Sequence, residues 1–272
     1  MREITDAEFE RIRDFVKMKL GINLGNEKKS LVQSRLTSII HEKGMDDFTQ
    51  YFDYLFKDKT GEALVQFVDK ITTNHTFFMR EKDHFDYLRD TVLPYIYEKN
   101  SQNNDLRLWC AGCSTGEEPY TLEMLIQDFF REKPVKWDTQ ILATDISTSV
   151  LNKAIRGVYP TESLKDLPKN WMNDYYDVLD NGNRQVKNEI RKMVIFRKFN
   201  LMDEKFPFKK PFHTIFCRNV MIYFDTATRD QLVNKFYDAT ETGGFLFIGH
   251  SESLNHKTTK YKYIKPAVYR KV

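Results

Sequence analysis

Two adjacent carboxylates beside a loop of small residues carry the densest chemical signal in the chain. The stretch Leu106-Arg-Leu-Trp-Cys-Ala-Gly-Cys-Ser-Thr-Gly-Glu-Glu-Pro-Tyr-Thr-Leu122 reads as a strand, a loop and then a helix that starts near Pro119. Proline suits the first helical turn, where its missing N–H would be unpaired anyway. Gly112 and Gly116 let backbone approach a ligand without a side chain in the way. A loop at the carboxyl end of the first strand is where doubly wound sheets bind nucleotides, although two loop glycines are also what a plain tight turn contains.

Glu117 and Glu118 decide which nucleotide. Two anions would repel a pyrophosphate and attract a cation. S-adenosylmethionine carries a sulfonium and an ammonium and no phosphate, so the loop suits it better than NAD or ATP. First-turn glutamates also complement a helix dipole; that alternative stays open for Glu117, whereas Glu118 is assigned to the ligand. The run Ile141-Leu-Ala-Thr-Asp145 puts an acid at the tip of the next strand, placed for ribose hydroxyls. Capping the following helix is the other role open to Asp145. A further buried strand runs into Arg218 and Asn219, with Tyr223 in the same loop. Cys110 and Cys113 form a C-x-x-C, but no second Cys or His pair follows at zinc spacing. They read as small packing residues, and no metal is expected.

Alternating strands and helices must position these groups. Strand-like runs at 106–111, 140–144, 194–199, 214–217 and 245–249 are mostly separated by helical stretches, including one from Phe85 to Tyr97. The pattern predicts a Rossmann-like α/β fold with a parallel sheet covered on both faces. A closing hairpin is expected at 261–263 and 268–270. The turn signal Asp180–Asn183 predicts a β-hairpin insertion within about residues 172–192. Before all this, residues 1–72 read as four short helices, the first opened by Thr5 and Glu8 at capping-box spacing and closed by Gly21. The expected organisation is therefore an all-helical domain (1–72), a linker (73–83) and an α/β domain (84–272).

Composition narrows the function classes. Of 272 residues, 41% are apolar and 30% charged, with a net charge of +3 and three cysteines. The charge is too small to require nucleic acid, and the Asn/Asp-Pro-Pro-aromatic motif of adenine-N6 methyltransferases is absent. The odd, low cysteine count points to a reducing compartment. An N-terminus charged from its second residue, with no apolar run of ~20 residues anywhere, makes a cytoplasmic protein without membrane insertion the expectation.

Four segments together resemble the family of chemotaxis receptor glutamate O-methyltransferases: Thr72-Thr-Asn-His-Thr-Phe-Phe-Met-Arg80, Ser114-Thr-Gly-Glu-Glu-Pro-Tyr120, Cys217-Arg-Asn-Val-Met-Ile-Tyr-Phe224 and Gly249-His-Ser-Glu-Ser253. The resemblance spans nearly the whole chain, with the motifs in the family's order. It implies methyl esterification of glutamates on the cytoplasmic helical bundle of methyl-accepting chemotaxis receptors, for sensory adaptation, with S-adenosyl-L-homocysteine as product. It implies cofactor contacts at Asn74, Thr76, Arg80, Glu118, Asp145, Asn200, Leu201, Arg218 and Asn219. Arg80 and Tyr223 are expected to orient the acceptor or the cofactor carboxylate. A glutamate is already ionised at neutral pH, so no general base is assigned.

The receptor-facing surface is read from charge. Residues 11–43 hold eight basic side chains against three acidic ones, and Arg35 falls on the apolar side of its helix at ~100° per residue. Arg35 and Lys43 are the expected receptor contacts. Family members that bind a receptor tether peptide use a glycine-rich turn in the β-subdomain. Asp180-Asn-Gly-Asn-Arg-Gln185 has one glycine, so recognition without a tether is expected.

Overall fold

The structure, a computed structural model, describes residues 2–71, 75–100 and 102–272. It divides into two compact units. One comprises the described residues of Met1–His75 with Asn200–Met202 and Tyr223–Arg229; the other holds Thr76–Phe199, Asp203–Ile222 and Asp230–Val272.

The first unit is built on four helices, α1 (Asp6–Leu20), α2 (Lys29–Glu42), α3 (Phe48–Lys57) and α4 (Glu62–Ile71). Local chemistry sets their ends. Thr5 accepts the Glu8 backbone N–H while Glu8 reaches back to Thr5, and Gly21 closes α1 in the left-handed conformation, both predicted. Phe9, Ile12, Val16, Leu36, Phe48, Tyr51, Phe52 and Phe67 are buried, one apolar stripe per helix.

The second unit opens with α5 (Lys82–Tyr87), a π-helical turn over Leu88–Val92 and α6 (Leu93–Lys99). The expected helix from Phe85 to Tyr97 is thus interrupted. Pro94, in the first turn of α6, has no N–H, and the Leu93 N–H bonds Leu88 O, five residues back. There follow in the chain β1 (Leu108–Ala111), α7 (Glu117–Phe130), β2 (Ile141–Asp145), α8 (Thr148–Arg156), β3 (Val158–Tyr159), α9 (Trp171–Asp174), β4 (Tyr176–Val178), β5 (Arg184–Val186), α10 (Asn188–Arg191), β6 (Val194–Lys198), β7 (Phe212–Cys217), α11 (Thr226–Ala239, of which Thr226–Arg229 counts with the first unit), β8 (Thr240–Ile248), β9 (Lys262–Lys265) and β10 (Val268–Arg270).

Seven strands form one sheet in the order β6-β2-β1-β7-β8-β10-β9. The first five are parallel, and β10 and β9 close the edge antiparallel. From β1 the chain steps outward through β2 to β6, then returns to the other flank of β1 as β7. That reversal opens a crevice at the carboxyl ends of β1 and β7. All four residues of β1 and all six of β7 are buried, as expected for strands covered on both faces. The Asp180–Asn183 turn does close a hairpin, β4–β5. It is one strand larger than the sequence indicated, because β3 pairs with β5 to give a three-stranded sheet. No helix among the described residues is long and apolar enough to cross a membrane.

Candidate cofactor site

The crevice at the switch point positions the carboxylates. The loop after β1 is pinned to β2, whose Thr144 carbonyl accepts the N–H groups of Gly112 (2.8 Å) and Cys113 (2.9 Å). Gly116 takes φ +98°, and a Cβ there would meet Tyr159 Oη at 2.8 Å and Ala154 Cβ at 2.9 Å, so the approach of α8 requires glycine. Glu117 accepts the Thr115 hydroxyl through both oxygens, at 2.9 and 2.7 Å, and burial raises its pKa. It is tied to its own loop. Glu118 instead receives the Cys110 thiol on Oε1 at 3.0 Å and Arg218 Nη1 on Oε2 at 2.5 Å.

Asp145 ends β2 and accepts the Ser114 N–H at 2.9 Å on one oxygen and the Ser147 N–H at 3.0 Å on the other. The N-cap of α8 is Ser147, not Asp145, which removes capping as the explanation for that acid. Ser114, at φ +48°, carries a buried hydroxyl with no hydrogen-bond partner. This orphaned hydroxyl, Glu118 and Asp145 together offer acceptors for hydroxyls and a cation. The chemistry fits S-adenosylmethionine and disfavours a phosphate-bearing nucleotide.

Arg218 and Asn219 leave β7 on the other side of the crevice. The Arg218 side chain is 2% exposed and lies between two carboxylates, Glu118 and Glu81, the latter at 3.1 Å from Nη2. It also donates to the Arg80 carbonyl and stacks over Phe85. Burial opposes its charge, but the two carboxylates outweigh burial and raise its pKa. Asn219 adopts φ +58° and donates Nδ2–H to Glu81 Oε1 at 3.3 Å.

Two glutamates that the sequence reading left without a role organise this side. Glu81, at φ 56° and ψ 58°, binds Arg218 and Asn219. Glu252 accepts backbone N–H groups from Gly249 (2.6 Å), Asn219 (3.0 Å) and Ile222 (3.1 Å). Burial nonetheless pushes its carboxyl above the ordinary range. The available signals were adjacency to Arg80 for Glu81 and membership of Gly249–Ser253 for Glu252. Cys110 likewise proves to be a donor to Glu118 as well as a packing residue. All three thiols are free and buried, and burial pushes them well up.

Glu81, His84 and His250 each bring one ligand atom within 4.8 Å of the others. His84 is fully buried, and burial lowers its pKa to about 4. The Glu81 carboxylate is already taken by Arg218, whose fixed positive charge opposes a dication. We assign no metal there.

The remaining expected contacts are placed as follows. Thr76 and Arg80 are half-buried in the second unit, and Asn74 lies outside the described residues. Asn200, Leu201 and Tyr223 group with the helical unit. There Asn200 donates Nδ2–H to Lys19 O at 3.0 Å, and the Tyr223 carbonyl accepts the Asn23 N–H at 2.8 Å. Arg35 donates to the Lys70 carbonyl at the end of α4 (3.0 Å). Lys43 donates to Tyr54 Oη (3.4 Å).

Comparison with known proteins agrees with this chemistry. The family model described as CheR methyltransferase, SAM binding domain matches residues 74–270, and CheR methyltransferase, all-alpha domain matches residues 7–72. A chemotaxis protein methyltransferase of Borreliella burgdorferi is 47% identical over 270 residues, covering 98% of this chain and 95% of that protein. The Escherichia coli chemotaxis protein methyltransferase is 34% identical over 269 residues, covering 98% and 91%. Chemotaxis protein methyltransferase 2 of Vibrio cholerae is 36% identical over 253 residues, covering 93% and 87%. The chain belongs to the CheR methyltransferase family, and its cofactor is S-adenosylmethionine.

Proposed function

We propose that this methyltransferase esterifies glutamate side chains on the cytoplasmic helical bundle of chemotaxis receptors. The observation that carries the reading is the acidic crevice lined by Glu118 and Asp145, which suits a cofactor with hydroxyls and positive charge to satisfy. S-adenosylmethionine supplies an electrophilic methyl group when bound. Asp145 holds the ribose hydroxyls, with the free Ser114 hydroxyl beside it. Glu118 takes the positively charged end. Asn74, Thr76, Asn200, Leu201 and Asn219 complete the cofactor contacts by their place in the family's motifs.

An ionised glutamate needs no base, so the protein's task is positioning. Holding the acceptor oxygen roughly 3–3.5 Å from the methyl carbon supplies most of the acceleration. Arg80 and Tyr223 orient the acceptor carboxylate or the cofactor's own. Opposite charges cancel during transfer, so excluding water avoids over-solvating the reactants. The basic surface around Arg35 and Lys43 meets the acidic receptor bundle, and docking proceeds without a tether peptide. The β4–β5 turn supports this last point: it is a short one, closed by Leu179 N–H to Asn183 O at 2.9 Å, with Gly182 its one glycine.

The test is incubation of the full chain with S-adenosylmethionine and receptor cytoplasmic fragments, followed by mapping of the methyl group. Methyl on glutamyl side chains supports the reading. Methyl on lysine, arginine or nucleic acid overturns it.

A further inference from the structure

The loop after β1 needs support from outside itself. Gly112, Ser114 and Gly116 take φ +86°, +48° and +98°, three left-handed positions in five residues, one of them not glycine. Bonds from β2 secure the first part of the loop: Thr144 O accepts the N–H groups of Gly112 and Cys113, and Asp145 accepts that of Ser114. Thr115 comes next, just before the first turn of α7, and its carbonyl needs another donor. The residue four places on, from which a helical N–H would come, is Pro119, which has none.

The three-stranded sheet supplies that donor. Tyr159 Oη donates to Thr115 O at 2.7 Å. The side chain is buried, and burial raises its pKa well above the ordinary value, so the hydroxyl keeps its proton. The fold builds this placement: Gly157 closes α8 in the left-handed conformation, and two residues later Tyr159 sits in β3 opposite Arg184 of β5. The ring lies beside Gly116, where a Cβ would meet its Oη at 2.8 Å. It packs edge-on against Tyr120 of α7, with ring centroids 6.3 Å apart, and against Phe78 at 4.9 Å. Phe78 stands midway between Thr76 and Arg80. One side chain therefore touches both the Ser114–Glu118 loop and the segment that carries Thr76 and Arg80.

Tyr176 in β4 provides the contrast. It belongs to the same small sheet, is buried as well, and its ring lies 6.3 Å from that of Phe78. Its hydroxyl, however, has no hydrogen-bond partner. The two tyrosines share their surroundings and differ in one bond.

We propose that Tyr159 is a positioning residue for the cofactor: its hydroxyl fixes the Thr115 carbonyl and, through it, the orientation of Ser114 and Glu118 on either side. The inference rests on the reading that Ser114, Glu118 and Asp145 face S-adenosylmethionine. It gives the two-residue strand β3 a task in the cofactor site. Without the bond the loop samples other shapes, and ligand binding must order it again.

The experiment is calorimetric titration of the full chain with S-adenosylmethionine for the wild type, Tyr159→Phe and Tyr176→Phe, with thermal melts showing each to be folded at the titration temperature. Tyr159→Phe keeps the ring and removes only the hydroxyl. The expected result is a Kd raised about fivefold or more. Tyr176→Phe removes a hydroxyl that bonds nothing, so its Kd is expected to stay within about twofold of wild type. With a receptor fragment that the wild type methylates, Tyr159→Phe is expected to raise the KM for S-adenosylmethionine and to keep kcat within about twofold. An unchanged Kd in Tyr159→Phe would overturn the proposal. Equal weakening in both variants would mean a purely structural role and overturn it too, as would a loss confined to kcat. Gly116→Ala reaches the same bond from the loop side, since its Cβ displaces Tyr159 Oη. Unchanged affinity in that variant would overturn the proposal even if Tyr159→Phe did not fold. Failure of the wild type to bind S-adenosylmethionine would instead overturn the cofactor reading beneath it.

Discussion

Glu118 and Arg218 lie one hundred residues apart in sequence and form a 2.5 Å ion pair across the crevice between β1 and β7. Arg218 leaves the carboxyl end of β7, and Glu118 lies in the first turn of α7, beyond the loop that follows β1; the two strands are neighbours in register, Leu108 beside Thr214 and Cys110 beside Phe216. The switch of strand order at β1 brings the two loops together. Removing one partner of such a pair leaves buried charge uncompensated. Arg218→Ala is expected to cost about 3–5 kcal/mol of stability, since it strands both Glu118 and Glu81. Urea denaturation measures this, and a loss under about 1 kcal/mol would show that the network is solvated.

Glu252 shapes the Arg218–Ile222 loop by accepting three backbone N–H groups with one carboxylate. Glu252→Gln keeps the shape but turns an amide N–H₂ towards some of those donors. The expected result is a loss of about 2–4 kcal/mol of stability together with weaker cofactor binding. Gly249→Ala is expected to act in the same direction. Its Cβ would overlap the Asn219 amide and approach Asn219 N to 2.9 Å. Normal stability with unchanged cofactor affinity in both variants would contradict the role.

Glu123 on α7 is fully buried. Its Oε1 accepts Gln127 Nε2 at 2.6 Å, while Oε2 has no partner. Burial pushes the carboxyl up to about 8 from an ordinary value of 4.5, against the opposing hydrogen bond from Gln127. Between those values the unfolded chain has released the proton that the folded chain keeps. Stability therefore falls as pH rises from about 4.5 to 8, by a few kcal/mol at most. Glu123→Gln is expected to flatten that slope and to be the more stable protein at pH 8. Parallel stability–pH curves for the two proteins would rule this out.

Positioning and docking separate kinetically. Arg80→Ala is expected to lower turnover by about 10²-fold or more while the protein stays folded. Charge reversal at Arg35 and Lys43 is expected to raise the KM for receptor fragments and to leave the cofactor Kd unchanged. Near-normal turnover in the first variant, or an unaltered receptor KM in the second, would remove the assigned role.

Local signals were legible in the sequence, and contacts between distant segments were not. The Thr5–Glu8 capping box and the Gly21 stop involve neighbours within a turn or two, and they formed as read. Asp145 was singled out by its place at the tip of a strand, and Glu118 by the charge that a pair of first-turn glutamates puts beside a loop of small residues. Glu81 did not, since its partners Arg218 and Asn219 lie 137 and 138 residues away and a left-handed glutamate leaves no compositional trace. Ser147 took the cap that Asp145 was also suited to, two residues further along. The two-residue strand β3 was too short to show a period.

The most direct measurement of the central claim follows labelled methyl from S-adenosylmethionine into receptor cytoplasmic fragments and then treats the product with mild alkali. The account predicts transfer that depends on the fragment, with the label released as volatile methanol from a glutamyl ester. Base-stable label on the fragment, or no transfer by a chain that binds the cofactor, would contradict it.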